Sequence, residues 1–428
     1  MTVSRLRDIP GIGVDVIGDA ADAAGDPDIL RLENLDTDLR PPRVAVELTR
    51  AAVDDDGANS YLPFQGHRAL REAAAAHVGR LAGRRYDPGA ECVIVAGGLN
   101  GILNTLLATV EPGQEVVLTD PIYAGLVNRV RLASGVPRFV PATAAQGGGG
   151  AGSGWTAAPE RPAGAGWTLD PERPAGAGWN AAPERLAAAG WTVDPERLAA
   201  AVGPATAAVL MMGPSMPTGM VLGDAHWSAL AAALERHQAW LIYDAAMERI
   251  RFDALPPSHP AAHPGLADRT ITVGSASKEL RMIGWRVGWV VGPPEVLADV
   301  NLVGLTNVVC QVGIAQAAVA AALTDPGADA DVAAATATWK QRCAVILDQL
   351  AGYPVVRPDG GWSMLIDTGP LGLTPGETSR LLFERGKVAA TPMGGWGPSG
   401  AGYLRLVFAN ETAERLTGLG DRFRRALG

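Results

Sequence analysis

Cysteine is scarce: the 428 residues hold three, Cys92, Cys310 and Cys343, with no Cys-x-x-Cys and no pairing with histidine. Such scatter supports neither a disulfide framework nor a zinc cage, so no metal is expected and a reducing cytoplasm is the natural compartment. Basic charge is not in excess. Lys and Arg number 36 against 45 Asp and Glu, a net charge of -9, and no Lys/Arg-rich run occurs. A chain of that sign lacks the cations needed to follow a phosphate backbone, which excludes nucleic acid as the expected partner. Long apolar runs are missing too. No stretch approaches the roughly 20 apolar residues that span a bilayer, so no membrane is expected. The opening MTVSRLRDIPGIGVDVIGDAADAAGD has no uninterrupted apolar core like that of a secretory signal. What the chain does have is 47% apolar residues, enough for one large or two medium globular domains.

A tandem array interrupts the pattern. Trp155, Trp167, Trp179 and Trp191 each open a copy of one unit, such as WTLDPERPAGAG, at a period of 12. The copies are too short and too rich in Ala, Gly and Pro to build a core of their own. Only the last flows into a convincing strand. Residues 144–190 therefore read as an insertion, tolerable because loop closure grows costlier only slowly with length.

Outside the array, short apolar runs alternate with helical patterns. The runs are CVIVAGG (92–98), EVVLTDP (115–121), PRFVP (137–141), AAVLMMGP (207–214), AWLIYDAA (239–246), TITVGSAS (270–277) and VGWVVGPP (287–294). Between two of them, Trp227, Leu230 and Leu234 recur at helical spacing. Continuous rather than alternating hydrophobicity marks strands buried on both faces, which a mainly parallel sheet between helix layers requires. The expected class is α/β: a three-layer α/β/α large domain with a mainly parallel seven-stranded sheet. After about residue 295 the strand runs thin out and helices lengthen. Two strand-like pieces, WSMLID and YLRLVFA, return near the end, and a smaller α+β C-terminal domain is expected there.

In open α/β sheets, ligands collect at the carboxyl ends of the strands. The residues there are Gly97-Gly98-Leu99-Asn100, Asp120-Pro-Ile-Tyr123, the turn from Gly213 to Gly219, Asp244, and Ser275-Ala-Ser277-Lys278. A glycine turn opening a helix offers unpaired N–H groups and a positive dipole end to a phosphate. A lysine directly after a buried strand says more, because burial lowers an amine's pKa toward a free base able to form a Schiff base. Eight residues on, Arg286 offers a guanidinium that can clamp a phosphate with two hydrogen bonds.

Ser275-x-Ser277-Lys278, followed by Gly284-Trp285-Arg286-x-Gly288, resembles the lysine motif of the fold type I, class I/II aminotransferases, the aspartate aminotransferase superfamily. That family binds pyridoxal 5′-phosphate (PLP). The resemblance runs from about residue 30 to the C-terminus, the repeats excepted. It implies that Lys278 forms the internal aldimine and later shuttles a proton between the substrate Cα and the cofactor, and that Asp244 pairs with the pyridinium nitrogen. By the same resemblance Tyr123 stacks on the ring, while Gly97, Gly98, Leu99, Ser275, Ser277 and Arg286 hold the phosphate. Tyr61 matches a tyrosine that reaches the neighbouring subunit's phosphate, implying a homodimer with shared active sites. Arg405, alone inside an apolar strand, matches the arginine that grips the substrate's α-carboxylate. The implied domains are an N-terminal arm over 1–45 joining the small domain, a PLP-binding large domain over 46–295 that carries the 144–190 insertion, and a small domain over 296–428.

The pattern departs from the family in two places. Met216 and Met247 stand where the family has an asparagine and a tyrosine that donate to the cofactor's phenolic oxygen. A thioether donates nothing, so the phenolate should lean harder on the imine proton and raise its pKa. Near the start, Glu33-Asn34 stands where a branch of the same fold acting on S-adenosylmethionine has a Glu-Asn pair. The implied function is an enzyme that forms an external aldimine with an L-amino acid and abstracts its α-proton, completing transamination in amino acid metabolism. The alternative is β/γ-elimination, replacement or carbon–carbon bond formation from S-adenosylmethionine or a similar amino acid in specialised metabolism. Glu33, Asn34, Met216 and Met247 would then border the substrate beside Arg405.

Overall fold

The computed structural model describes residues 3–9, 11–144, 190–253 and 255–428. The seven apolar runs become β1 (Cys92–Val95), β2 (Glu115–Asp120), β3 (Val136–Pro141), β4 (Thr206–Met212), β5 (Trp240–Asp244), β6 (Thr270–Ser275) and β7 (Gly288–Val291). They form one sheet in the order β1-β7-β6-β5-β4-β2-β3. Neighbours are parallel except β7, which runs antiparallel to both β1 and β6. Every residue of β1, β4, β6 and β7 is buried, which is why these runs read as unbroken apolar stretches.

Helices cover both faces, and the strand alternation sorts side chains between them. Val93 and Val95 share a core with Ile102 and Leu106 of α4 (Gly98–Thr109) and with Val296 and Val300 of α7 (Pro294–Asn307). Cys92 and Ile94 face the other way, toward Leu70 and Val78 of α3 (Arg68–Ala82) and Val319 of α8 (Gly313–Thr324). Further along that face, Trp227, Leu230 and Leu234 of α6 (Asp224–His237) meet Val209, Met211 and Leu241. The sequence pattern at that helix is thus a buried stripe. α8 also packs on α2 (Arg43–Val53), so α7 and α8, although they follow residue 295, cover the large sheet. The remaining helices used below are α1 (Val14–Ala24), α5 (Ala124–Leu132) and α9 (Ala328–Gln349).

After α9 comes a four-stranded antiparallel sheet, β8 (Val355–Val356), β9 (Ser363–Asp367), β10 (Thr391–Pro392) and β11 (Tyr403–Val407), in the order β8-β9-β11-β10. The N-terminal residues return to this region, where Leu30–Arg31 pairs in parallel with Val388–Ala389.

The ends of the array meet. Thr143–Ala144 pairs antiparallel with Trp191–Thr192, with Ala144 opposite Trp191. Trp191 is buried with its ring 5.3 Å from that of Tyr403, and a Cβ at Gly190 would run into the Asp359 carboxylate. The first three copies of the repeat, with Trp155, Trp167 and Trp179, lie outside the described residues. Replacing residues 145–189 by a single asparagine leaves Asn followed by Gly190 as a two-residue turn between paired strands. The expected melting temperature lies within about 4 °C of the parent, and a fall of more than about 10 °C would show that the array holds the fold.

Candidate active site

The carboxyl ends of β1, β2, β5 and β6 bring the expected residues to one place. Lys278 follows β6 and is partly buried, with Nζ donating to the Leu35 carbonyl at 3.0 Å and lying 4.4 Å from the Trp362 ring centroid. Burial lowers its pKa to about 8, against the pull of the Asp36 and Asp244 carboxylates. Asp244 ends β5 with 4% exposure, and Oδ1 accepts from the Ala246 N–H at 3.1 Å. Burial raises its pKa to about 6, while the Ala246 bond, Lys278 and Arg129 favour the ionised form.

One side of the cluster is built for an anion. Gly97 takes a left-handed turn (φ 88) before α4, and a Cβ there would lie 2.6 Å from Nη2 of Arg286. A side chain at that position would therefore fill a cradle that only glycine leaves open. A Cβ on Gly98 would meet Ser275 at 3.2 Å. Ser275 Oγ accepts from the Ser277 N–H at 3.1 Å, and Arg286 donates through Nη1 to Ile283 O at 2.7 Å and to Ser277 Oγ at 3.5 Å. Leu99 sits in the first turn of α4, its carbonyl held by Nε of Arg129 at 2.8 Å. The positive end of α4, two serine hydroxyls and an exposed guanidinium thus converge.

The opposite side holds a buried guanidinium with donors to spare. Arg405, on β11, is wholly buried, and only its Nη2 is bonded, to the Glu33 carbonyl at 2.6 Å and Thr391 Oγ1 at 3.1 Å. Nε and Nη1 are buried without a partner. Burial lowers its pKa to about 10, and its guanidinium carbon lies 4.7 Å from the Trp396 ring centroid. A buried cation with two unmet donors is costly unless an anion arrives. Tyr123, at the start of α5, lies edge-on to Trp396 at 5.3 Å.

Glu33 has a second task besides its carbonyl. Its Oε1 accepts from Arg31 Nε at 2.7 Å, and Arg31 in turn bonds Asp22 of α1 at 2.6 Å, while Oε2 is buried and unpartnered. Burial holds this carboxyl above its usual range despite Arg31. Asn34 follows, half-buried. Met216 and Met247 are buried in the same apolar cluster as Trp362. The Met216 N–H points at Met212 sulfur, 3.4 Å away, and Met247 sulfur would lie 3.7 Å from a Cβ on Gly361. Tyr61 is the residue not brought in, 80% exposed on the loop before α3. Trp362, Trp396, Asp36 and Arg129 were missed by sequence reasoning, because nothing in a single aromatic or charged residue says which distant strand end it will face.

The donor set fits PLP: a lysine near its free-base range, a buried carboxylate, and a glycine cradle under an arginine. The family model for aminotransferase class I and II matches residues 30–160 and 176–423. The chain belongs to this family. The unmatched residues 161–175 fall within the tandem array. It is 29% identical to an arginine–pyruvate transaminase of Pseudomonas aeruginosa, over 89% of this chain and 85% of that one. It is 30% identical to a probable aspartate/prephenate aminotransferase of Thermus aquaticus, over 99% and 94%. Among solved structures, an aspartate aminotransferase of Thermus thermophilus with maleate superposes with a TM-score of 0.81 at 26% identity, covering 100% of both chains. The protein is thus a PLP-dependent aminotransferase with the α/β architecture of that superfamily. Among the described residues no helix is long and apolar enough to cross a membrane, and no group of three or more His, Cys, Asp or Glu could hold a metal.

Proposed function

We propose that this aminotransferase moves the α-amino group of an L-amino acid with a neutral or cationic side chain to a 2-oxo acid. The observation that carries the reading is the buried Lys278 amine, which feels both the Asp244 carboxylate and the Arg405 guanidinium, the latter with two unmet donors. PLP supplies the electron sink that makes the substrate's α-C–H acidic. Lys278 would hold the cofactor through Nζ, and the same amine would accept and return the substrate's α-proton. Asp244 would hold a proton on the pyridine nitrogen, and Tyr123 would cover the ring. The N–H groups of Gly98 and Leu99 would hold the phosphate with Ser275, Ser277 and Arg286, while Gly97, whose own N–H is donated to the Val95 carbonyl at 2.8 Å, would leave it room. Arg405 takes the α-carboxylate through Nε and Nη1. Met216 and Met247 leave the ring hydroxyl without a donor at their positions.

The charged groups acting most strongly on Lys278 are Asp36, Arg405, Asp244 and Arg286. Both arginines are assigned to ligand anions, so this chain has no further cation among them for an acidic side chain, and Asp36 opposes one. The relative named an arginine–pyruvate transaminase agrees with that charge pattern. The test is a panel of L-amino acids with pyruvate or 2-oxoglutarate as acceptor. Arginine or neutral donors should exceed aspartate in kcat/KM by about tenfold or more, since one like-charge contact costs on that order. Aspartate as best donor would overturn the substrate reading. Turnover without any 2-oxo acid would favour elimination or replacement.

A homodimer accounts for the exposed apolar surface of Leu48 and Val53 on α2, Phe64 beside Tyr61, Leu302 on α7 and Val309 after it. A two-fold partner would cover them, and Tyr61 would then reach the partner's phosphate site. The unpaired thiols Cys92, Cys310 and Cys343 suit a reducing cytoplasm. We divide the chain near residue 325, with 1–42 and α9 onward forming the small domain, because α7 and α8 pack on the large one.

A further inference from the structure

We infer that Asp120 is a positioning residue: it clasps the loop around Ser399 and so seats Trp396 between Tyr123 and Arg405. This inference rests on the reading that Arg405 takes the substrate carboxylate.

Asp120 closes β2, and its backbone carbonyl accepts from the Ala142 N–H at 2.8 Å. Its carboxylate is 1% exposed, and no cation pairs with it among the described residues. Both oxygens turn instead to Ser399. The Ser399 N–H donates to Oδ1 at 3.1 Å and Oδ2 at 3.0 Å, and its hydroxyl donates to Oδ2 at 2.7 Å. The loop lies so close that a Cβ on Gly397, whose φ is 99, would collide with the carboxylate. Two residues after Asp120, the Ile122 N–H donates to the Trp396 carbonyl at 2.9 Å. A carboxylate buried without a cation is a poor filler, since its charge loses hydration. Three directed acceptor contacts on one loop residue give it a geometric use.

What the clasp holds is the wall between two ligand-facing groups. Trp396 is fully buried, with its indole N–H donating to the Ile12 carbonyl at 3.3 Å. One ring contact goes to Tyr123 and the other to the Arg405 guanidinium. Arg405 is bonded only through Nη2, so the Trp396 face sets how Nε and Nη1 are aimed. Loosening the loop should therefore weaken the hold on substrate and leave the phosphate ligands and Lys278, which follow β1 and β6, in place.

The test compares the holoenzymes Asp120→Asn, Ser399→Ala and Ser399→Thr with the parent. Asp120→Asn should raise KM for the best amino donor about tenfold, the loss expected for weakening hydrogen bonds to a charged group. Cofactor affinity and absorbance should not change, and kcat should stay within about twofold. Ser399→Ala should shift KM the same way by a smaller factor, and Ser399→Thr, which keeps both donors, should restore it. If Asp120→Asn does not fold, Ser399→Ala against Ser399→Thr decides. An active parent whose KM is unmoved in the variants, even with a lowered melting temperature, would overturn the clasp alone. A parent with no transaminase activity on any amino acid would overturn the underlying reading instead.

Discussion

Replacing Lys278 with arginine or alanine lowers amino transfer by about a thousandfold or more, the scale of a lost acid–base group. The chain has three lysines, and the other two sit elsewhere: Lys340 donates to the Phe252 carbonyl at the surface, and Lys387 pairs with Asp26 and Asp28. No second amine can stand in. Arginine keeps the positive charge but not the free base, because a guanidinium stays protonated throughout the working pH range. The two variants should therefore fail alike, which separates a chemical role from an electrostatic one. Since Lys278 titrates near 8, the parent apoprotein should capture cofactor faster as pH rises through that value, where the amine loses its proton. A loss below about tenfold in either variant would contradict the assignment of the α-proton to this amine.

The second large effect belongs to Arg405. Arg405→Lys should raise KM for every amino donor by about a hundredfold or more, because hydrogen bonds to ionised partners are worth roughly 1.5–3 kcal/mol each and two are lost. A lysine keeps charge but cannot present two parallel N–H groups from the same buried site. Its cofactor spectrum should match the parent's, since the residues assigned to the phosphate and ring follow β1, β2, β5 and β6, away from Arg405's own strand β11. Steady-state kinetics with three chemically different donors checks this, for the α-carboxylate is common to all of them. A KM change confined to one donor would place Arg405 against a side chain instead.

Much of the architecture could be read beforehand because burial on both faces leaves a direct mark in sequence. CVIV, TAAVLMM and TITVGS are continuous apolar runs, and each is a fully buried strand. Lys278, Asp244 and Gly97 could be read because each stands at or just after the end of a strand, so chain position already implied position in space, and Arg286 because of its fixed spacing from Lys278. The limits have the same origin. The apolar stripes of α7 and α8 announce a buried face but not which sheet buries it, and the end of the strand runs at residue 295 did not reveal that both pack on the large sheet's side. Trp362 and Trp396 lie in glycine-rich turns of the other sheet and reach Lys278 and Arg405 only through tertiary packing. Glu33 was read for its charge, yet its backbone carbonyl is what holds Arg405, a contact available to any residue type. Asp120 appeared only as a strand-end residue, because its partner Ser399 is brought over by the loop between β10 and β11 of the other sheet.

The account stands on a covalent link between one amine and the cofactor's aldehyde. Reduction of the holoenzyme with borohydride, followed by proteolysis and mass mapping, locates that link directly. The expected result is a pyridoxyl phosphate adduct on the peptide containing Lys278 and on neither Lys340 nor Lys387. An adduct on one of those two, or a cofactor that washes away unreduced, would contradict it.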